Sequence, residues 1–345
     1  MSFRFWVSII TALILAVIIF FAREDIIQAW DLMSKANLWI LLLMIPAQII
    51  VYFAAGEMIF EYLRGKNALQ NVSRWSLTRL ALEINFVNHA LPSGGVSGVS
   101  YTGWRLSKMG VSPGRSTMAQ VARYAMGFLS FLVLLIGAVL AVTIDSGVNR
   151  MVILVSSILM CAIIGIFLFG IYIIGDIDRL HSAVHWVAGV INRIGRFVTG
   201  GKQKKLLSRK SLEHFLLEMH RDYKELLNEK KLLLKPFLWG LVFTTFDIIL
   251  FVIAFWSLGI EVNFAPLVIA YGLASLAGFI VITPGGAGAY EALMIGFISA
   301  AGMPQGAAIA GIVLARTLIL LGTIFSGYIF YQLTIWRYGK APTGR

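Results

Sequence analysis

An ionisable side chain at the centre of a bilayer costs on the order of 3 kcal/mol to place there, so each one found inside an apolar run carries a partner or a task. Seven stand in such surroundings in this 345-residue chain: Glu57, Glu83, His89, Arg123, Asp247, Glu291 and Arg316. Glu291 closes the run Pro284-Gly285-Gly286-Ala287-Gly288-Ala289-Tyr290-Glu291, one turn past a helix break. The N-terminal dipole of the new half-helix favours an anion there, so Glu291 either serves a substrate or only answers that dipole. Arg123 and Arg316 sit at matching places, each a turn or more into the helix that follows a break. A guanidinium binds carboxylate or phosphate bidentately, which makes the two arginines partners for Glu291, Glu83 or a substrate phosphate. The alternative is a pair of intramembrane ion bridges that lock a hairpin to a helix. Asn88 and His89, just ahead of the first break, are candidates to line the same cavity, unless His89 only caps the half-helix. The substrate-binding set is thus Arg123, Glu291, Arg316, Glu83, His89 and Asn88. Glu57 and Asp247 fall in corresponding spans and form a mirrored polar pair, unless each snorkels to an interface.

Enzyme chemistry asks for more than this. A lipid-modifying enzyme needs paired carboxylates or a metal triad in one place, and Glu83, His89 and Glu291 are spread over two segments. His214, Glu218 and His220 fall on one polar helix without a fuller ligand set, so they read as solvated surface rather than metal ligands. No Gly-x-x-x-x-Gly-Lys-Ser/Thr run appears, which removes ATP as a direct driver. No metal and no cofactor are expected.

The elements that must position these groups repeat. Leu91-Pro92-Ser93-Gly94-Gly95-Val96-Ser97-Gly98 and Thr283-Pro284-Gly285-Gly286-Ala287-Gly288 each interrupt an apolar stretch. Downstream, Gly110 leads into a helical run reaching Val121-Ala122-Arg123, and Gly302 into one reaching Leu314-Ala315-Arg316. A helix broken inside the bilayer frees backbone N–H and C=O groups, tolerated only where protein or a water-filled cavity satisfies them. Matched breaks in two halves of a membrane chain point to a transporter's substrate site. Pro92, Gly94, Gly95 and Gly98 in one half, and Pro284, Gly285, Gly286 and Gly288 in the other, are the residues that make those breaks.

Composition fits that setting: 59% hydrophobic residues, 13% charged residues and a mean hydropathy of +0.83 describe a polytopic membrane protein. The lone Cys161, in an apolar run, excludes a disulfide framework and reads as a small buried hydrophobe. The net charge of +12 sits in loops, where it reports topology and contact with anionic lipid headgroups rather than with nucleic acid. Runs at 5–22, 38–60, 113–143, 151–175, 236–258 and 304–335 are each long enough to span. The first reads as a retained signal anchor. Regions 75–108 and 265–301 read instead as re-entrant hairpins. The segment 176–235 carries 13 Lys or Arg against 7 Asp or Glu, which makes it cytoplasmic. Within it Leu212, Phe215, Leu216, Met219, Tyr223, Leu226 and Leu227 recur at helical spacing, as in a helix lying on an anionic membrane or packed on the protein's own loops.

The count is three spans and one hairpin per half, and three is odd, so the second hairpin enters from the face opposite the first. The fold expected is all-α and polytopic, with two inverted-topology repeats at 1–150 and 151–345. Both termini are cytoplasmic, and the protein sits in the cytoplasmic (inner) membrane.

The Pro-Gly-Gly-Ala-Gly-Ala-Tyr-Glu run at 284–291 and the Leu-Pro-Ser-Gly-Gly run at 91–95 resemble the lysylphosphatidylglycerol synthase transmembrane, or flippase-like, family of prokaryotic membrane proteins. The resemblance covers nearly the whole chain and implies movement of a lipid headgroup across the membrane, with functional polar residues at Arg123 and Glu291. Larger members add a soluble aminoacyl-transferase domain; this chain stops ten residues after Ile335, so synthase activity is not implied. The function expected is a flippase for a phospholipid or other polar lipid, working through a midplane cavity between the hairpins. A small-solute or ion carrier is the alternative, followed by a membrane-embedded lipid-modifying enzyme.

Overall fold

The computed structural model describes residues 27, 30–32, 34–90, 96–144, 150–183, 185–186, 220–221, 223–224, 230–280 and 288–339. The run at 5–22, the break residues Pro92, Gly94, Gly95, Pro284, Gly285 and Gly286, the His89 side chain, His214, Glu218 and most of 176–235 lie outside them. Among the described residues every regular element is helical. In chain order these are α1 (Met44–Gly65), α2 (Arg74–Ala90), α3 (Val96–Ser107), α4 (Pro113–Ile144), α5 (Arg150–Ile174), α6 (Leu234–Ser257), α7 (Phe264–Ile280), α8 (Ala289–Ala300) and α9 (Gln305–Tyr338). A short helical turn, Leu38–Leu41, leads into α1, capped by the Asn37 side chain, which accepts from the N–H groups of Trp39 and Ile40.

Among the described residues five helices are long and apolar enough to cross a membrane: Leu38–Gly65, Pro113–Ile144, Ile153–Ile174, Lys230–Ser257 and Gln305–Tyr338. They correspond to the five expected spans that fall in described residues. The outer surface carries large apolar side chains such as Leu140, Ile158 and Phe169, which suits contact with lipid tails rather than water. Exposed tryptophans stand near both ends of the bundle, Trp39 and Trp256 at one and Trp75 and Trp336 at the other, as at the two interfaces of a bilayer. The chain is an integral membrane protein.

Local chemistry sets the joints. The hairpin α2–α3 is followed by Gly110 at φ +82° and Pro113 at the first position of α4. The hairpin α7–α8 is followed by Gly302 at φ +107° and Pro304 just before α9. Glycine accepts the left-handed turn and proline pre-sets the helical φ where its missing N–H costs nothing.

Two apolar clusters form the interior, and each holds one hairpin. One gathers α2 and α3 against the C-terminal half of α1 (Ile59, Leu63), the N-terminal half of α4 (Met118, Ala122) and the C-terminal half of α9 (Ile324, Ile335). The other gathers α7 and α8 against the opposite halves of the same helices: Leu41 to Val51, Phe131 to Val142, and Ala308 to Ala315. The hairpins therefore lie toward opposite ends of the bundle. Each packs on the long helix of the other half, α2 on α9 and α7 on α4, while α1 and α6 form the most extensive pair between the halves. α5 is peripheral: 11% of its apolar stretch is buried, against 50% for α9.

Candidate functional site

The predicted site residues separate into two groups, one at each hairpin. At the α7–α8 end, Gly288 holds φ +87°, a conformation that L side chains rarely adopt, and α8 starts on it. Glu291, on the first turn of α8, accepts the Gly288 N–H at 2.7 Å through one carboxylate oxygen and the Arg316 Nε–H of α9 at 2.8 Å through the other. Glu291 thus satisfies the half-helix N-terminus and at the same time bridges the hairpin to the long helix, the ion bridge named as the alternative for Arg316. The Arg316 guanidinium lies 4.0 Å from the centre of the Tyr290 ring, and Tyr290 stacks on Phe251 of α6 with ring centres 6.4 Å apart. Asp247 of α6 accepts the Tyr271 hydroxyl of α7 at 2.6 Å. Glu291 and Tyr290 thus flank the Arg316 guanidinium, and the Asp247–Tyr271 pair ties α6 to α7 beside them. The bridge itself is not sealed, with Arg316 16% and Glu291 23% exposed at the side chain.

At the α2–α3 end the centre is Glu83, whose side chain is 1% exposed. The Tyr101 hydroxyl donates to one of its oxygens at 2.8 Å, Arg105 Nε–H to the same oxygen at 3.4 Å, and the Thr334 hydroxyl of α9 to the other at 2.7 Å. A buried carboxylate needs this many donors, because an unmet one costs far more than each bond returns. Asn88 closes the hairpin: its Oδ1 accepts the Gly98 N–H at 3.0 Å, and a Cβ on Gly98 would fall 2.1 Å from that oxygen. Gly98 is required there for close approach.

Arg123, half-buried on α4, lies 5.6 Å over the Tyr124 ring, while the Glu291 carboxylate is engaged by Arg316. Glu57 stands apart from Asp247. It joins a network at the junction of α1, α2 and α6, where Arg64 Nη1 meets Glu57 at 2.9 Å and Glu61 at 3.3 Å, Arg74 meets Glu61 at 3.3 Å, and Lys235 meets Glu61 at 3.1 Å. Cys161 is exposed on the apolar surface rather than buried, because α5 packs on so little.

Between the two groups runs a polar and small-residue face of α9 that the sequence reading missed. Gln48 Nε2 of α1 donates to the Ile319 carbonyl at 3.0 Å and to Tyr52 Oη at 2.6 Å, and Tyr52 Oη in turn is hydrogen bonded to Thr323 Oγ1. Arg316, Thr323, Gly327 and Thr334 share one face, since steps of 7, 11 and 18 residues return to within about 20° of the same direction. From Arg316 to Thr334 the face is about 27 Å long at 1.5 Å per residue, close to the hydrocarbon thickness of a bilayer. That spacing was the available signal. Tyr101 and Arg105 carried none in sequence, and nothing there tied Thr334 to Glu83, 251 residues away.

A family model described as the lysylphosphatidylglycerol synthase TM region matches residues 5–327. A UPF0104 membrane protein of Methanothermobacter thermautotrophicus is 24% identical over 260 residues, covering 70% of this chain and 75% of that protein. No solved structure matches the chain.

Proposed function

The chain belongs to the lysylphosphatidylglycerol synthase TM-region family, and from that premise we propose that it moves the polar headgroup of a membrane lipid between leaflets. The observation that carries this reading is the polar face of α9, which joins Glu291–Arg316 at one hairpin to Glu83–Thr334 at the other over about 27 Å. A headgroup crossing the hydrocarbon needs polar partners along its path while its acyl tails stay in lipid, and a single helix face offers them in sequence. Hairpins at opposite ends of the bundle support an inverted repeat in which each opens toward a different face, the arrangement that lets one repeat rock against the other. With basic loops inside, the α2–α3 end faces the cytoplasm, as do both termini. Gly327 packs against Phe86 and the Leu82 carbonyl, so in this conformation the face is covered near its middle and α2 must shift for passage.

The test is translocation of a headgroup-labelled phosphatidylglycerol in reconstituted vesicles. Wild-type protein should equilibrate the label between leaflets, and Glu291→Gln and Thr323→Val should each slow it at least about tenfold, the equivalent of one lost polar partner. Leaflet exchange no faster than in protein-free vesicles, together with release of an encapsulated small solute, would assign the chain to solute transport instead. Chemical alteration of the lipid would make it an enzyme.

A further inference from the structure

We infer that the α2–α3 end holds a binding pocket for a phosphate group, built by three arginines that the translocation path does not use. A cavity of about 260 Å³ opens there between α2, α3 and the end of α9, lined by Arg79, Arg105, Arg337, Glu83, Thr334 and Tyr338 among others. Three guanidiniums face one carboxylate, an excess of two positive charges. That carboxylate already accepts three hydrogen bonds, from Thr334, Tyr101 and Arg105 Nε. Arg105 is the informative group. Its side chain is 9% exposed, its Nε faces Glu83, and its Nη1 is buried with no hydrogen-bond partner among the described residues. A buried guanidinium N–H is seldom left unmet, and a planar guanidinium fork in the wall of a cavity fits a tetrahedral oxyanion.

The aromatic side chains hold the other cations in place. Tyr338 lies between Arg105 and Arg337, with its ring centre 4.6 Å and 5.4 Å from their guanidinium carbons, and Arg79 sits 4.9 Å over Phe330. Stacking of this kind orients a guanidinium while leaving its N–H edge free to bind. Arg79 and Arg337 are exposed at the rim, and neither has a carboxylate partner among the described residues. The ligand class is a phosphate group, carried either by a phospholipid or by a soluble molecule. The pocket shares Glu83 and Thr334 with the path proposed above, yet it requires binding alone.

The full chain in an uncharged detergent can be titrated with dioctanoyl phosphatidylglycerol, with dioctanoylglycerol as the phosphate-free control and with inorganic phosphate, following thermal unfolding. The phospholipid should raise the midpoint while dioctanoylglycerol leaves it unchanged. Arg337→Gln and Arg79→Gln, which do not touch Glu83 and so do not depend on the fold tolerating Arg105→Gln, should each weaken binding about tenfold or more. A midpoint raised by millimolar inorganic phosphate in wild type but not in Arg337→Gln would support the same pocket with a soluble ligand. Equal stabilisation by dioctanoylglycerol, or unchanged affinity in both rim variants, would overturn it. Binding without translocation in vesicles leaves the pocket standing and removes the transport reading; translocation without binding does the reverse.

Discussion

Glu83, on α2, draws its donors from two other helices: Tyr101 and Arg105 come from α3 and Thr334 from α9. The sequence marked Glu83 as a residue needing a partner, because a carboxylate in an apolar setting always does, but it gave no means of finding Thr334 across 251 residues. Asn88 was legible in the same partial way. Its place before a Pro-Gly break marked it as a candidate to line a cavity, and the Gly98 N–H it accepts lies just past that break. Gly98→Ala should destabilise the protein by about 1–3 kcal/mol through overpacking, since its Cβ would fall 2.1 Å from Asn88 Oδ1. Adding Asn88→Ala should recover part of that loss, because the clash disappears while the Gly98 N–H stays unmet. Thermal unfolding of the two single variants and the double variant reads the cycle, and additive losses would show that the contact does not matter.

The helices themselves were the most legible level. Five spans could be read from length and hydropathy, and the break-glycine-proline pattern marked both hairpins, because backbone freed in hydrocarbon leaves few sequence solutions. Hidden from that reading was the interior face of α9, whose polar members are outnumbered by apolar residues on the same helix. Arg316, Thr323, Gly327 and Thr334 become visible together only when α1, α2 and α8 are packed against them. Gly327 is the close point between α2 and α9, where a Cβ would meet Phe86 Cβ at 2.5 Å and the Leu82 carbonyl at 2.7 Å. Gly327→Val should therefore push α2 from α9 and cost about 1–3 kcal/mol or more, whereas Thr323→Val should cost about 0.5–1.5 kcal/mol for its lost hydrogen bonds and fall mainly on translocation. Unfolding measured beside translocation separates the two, and a Thr323→Val protein that loses stability but transports normally would make the face purely structural.

At the scale of the whole molecule, the two halves exchange hairpins, α2 packing on α9 and α7 on α4, and the two polar groups end at opposite ends of one bundle. The duplicated break and its downstream echo stand in the sequence, which led to Glu83, Asn88, His89, Arg123, Glu291 and Arg316 being collected around one midplane cavity. Arg316 and Glu291 belong to one end and Glu83 and Asn88 to the other, because antiparallel α4 and α9 carry matching residues toward different faces. Transport along α9 requires hairpins that open toward opposite faces, and thiol accessibility measures this directly. In a Cys161→Ala background, single cysteines at Ser93 and Thr283 should each react with a membrane-impermeant thiol reagent from one side of sealed vesicles only, Ser93 from the cytoplasmic side and Thr283 from the other. Labelling of both from the same side would contradict the inverted arrangement and with it the proposed path.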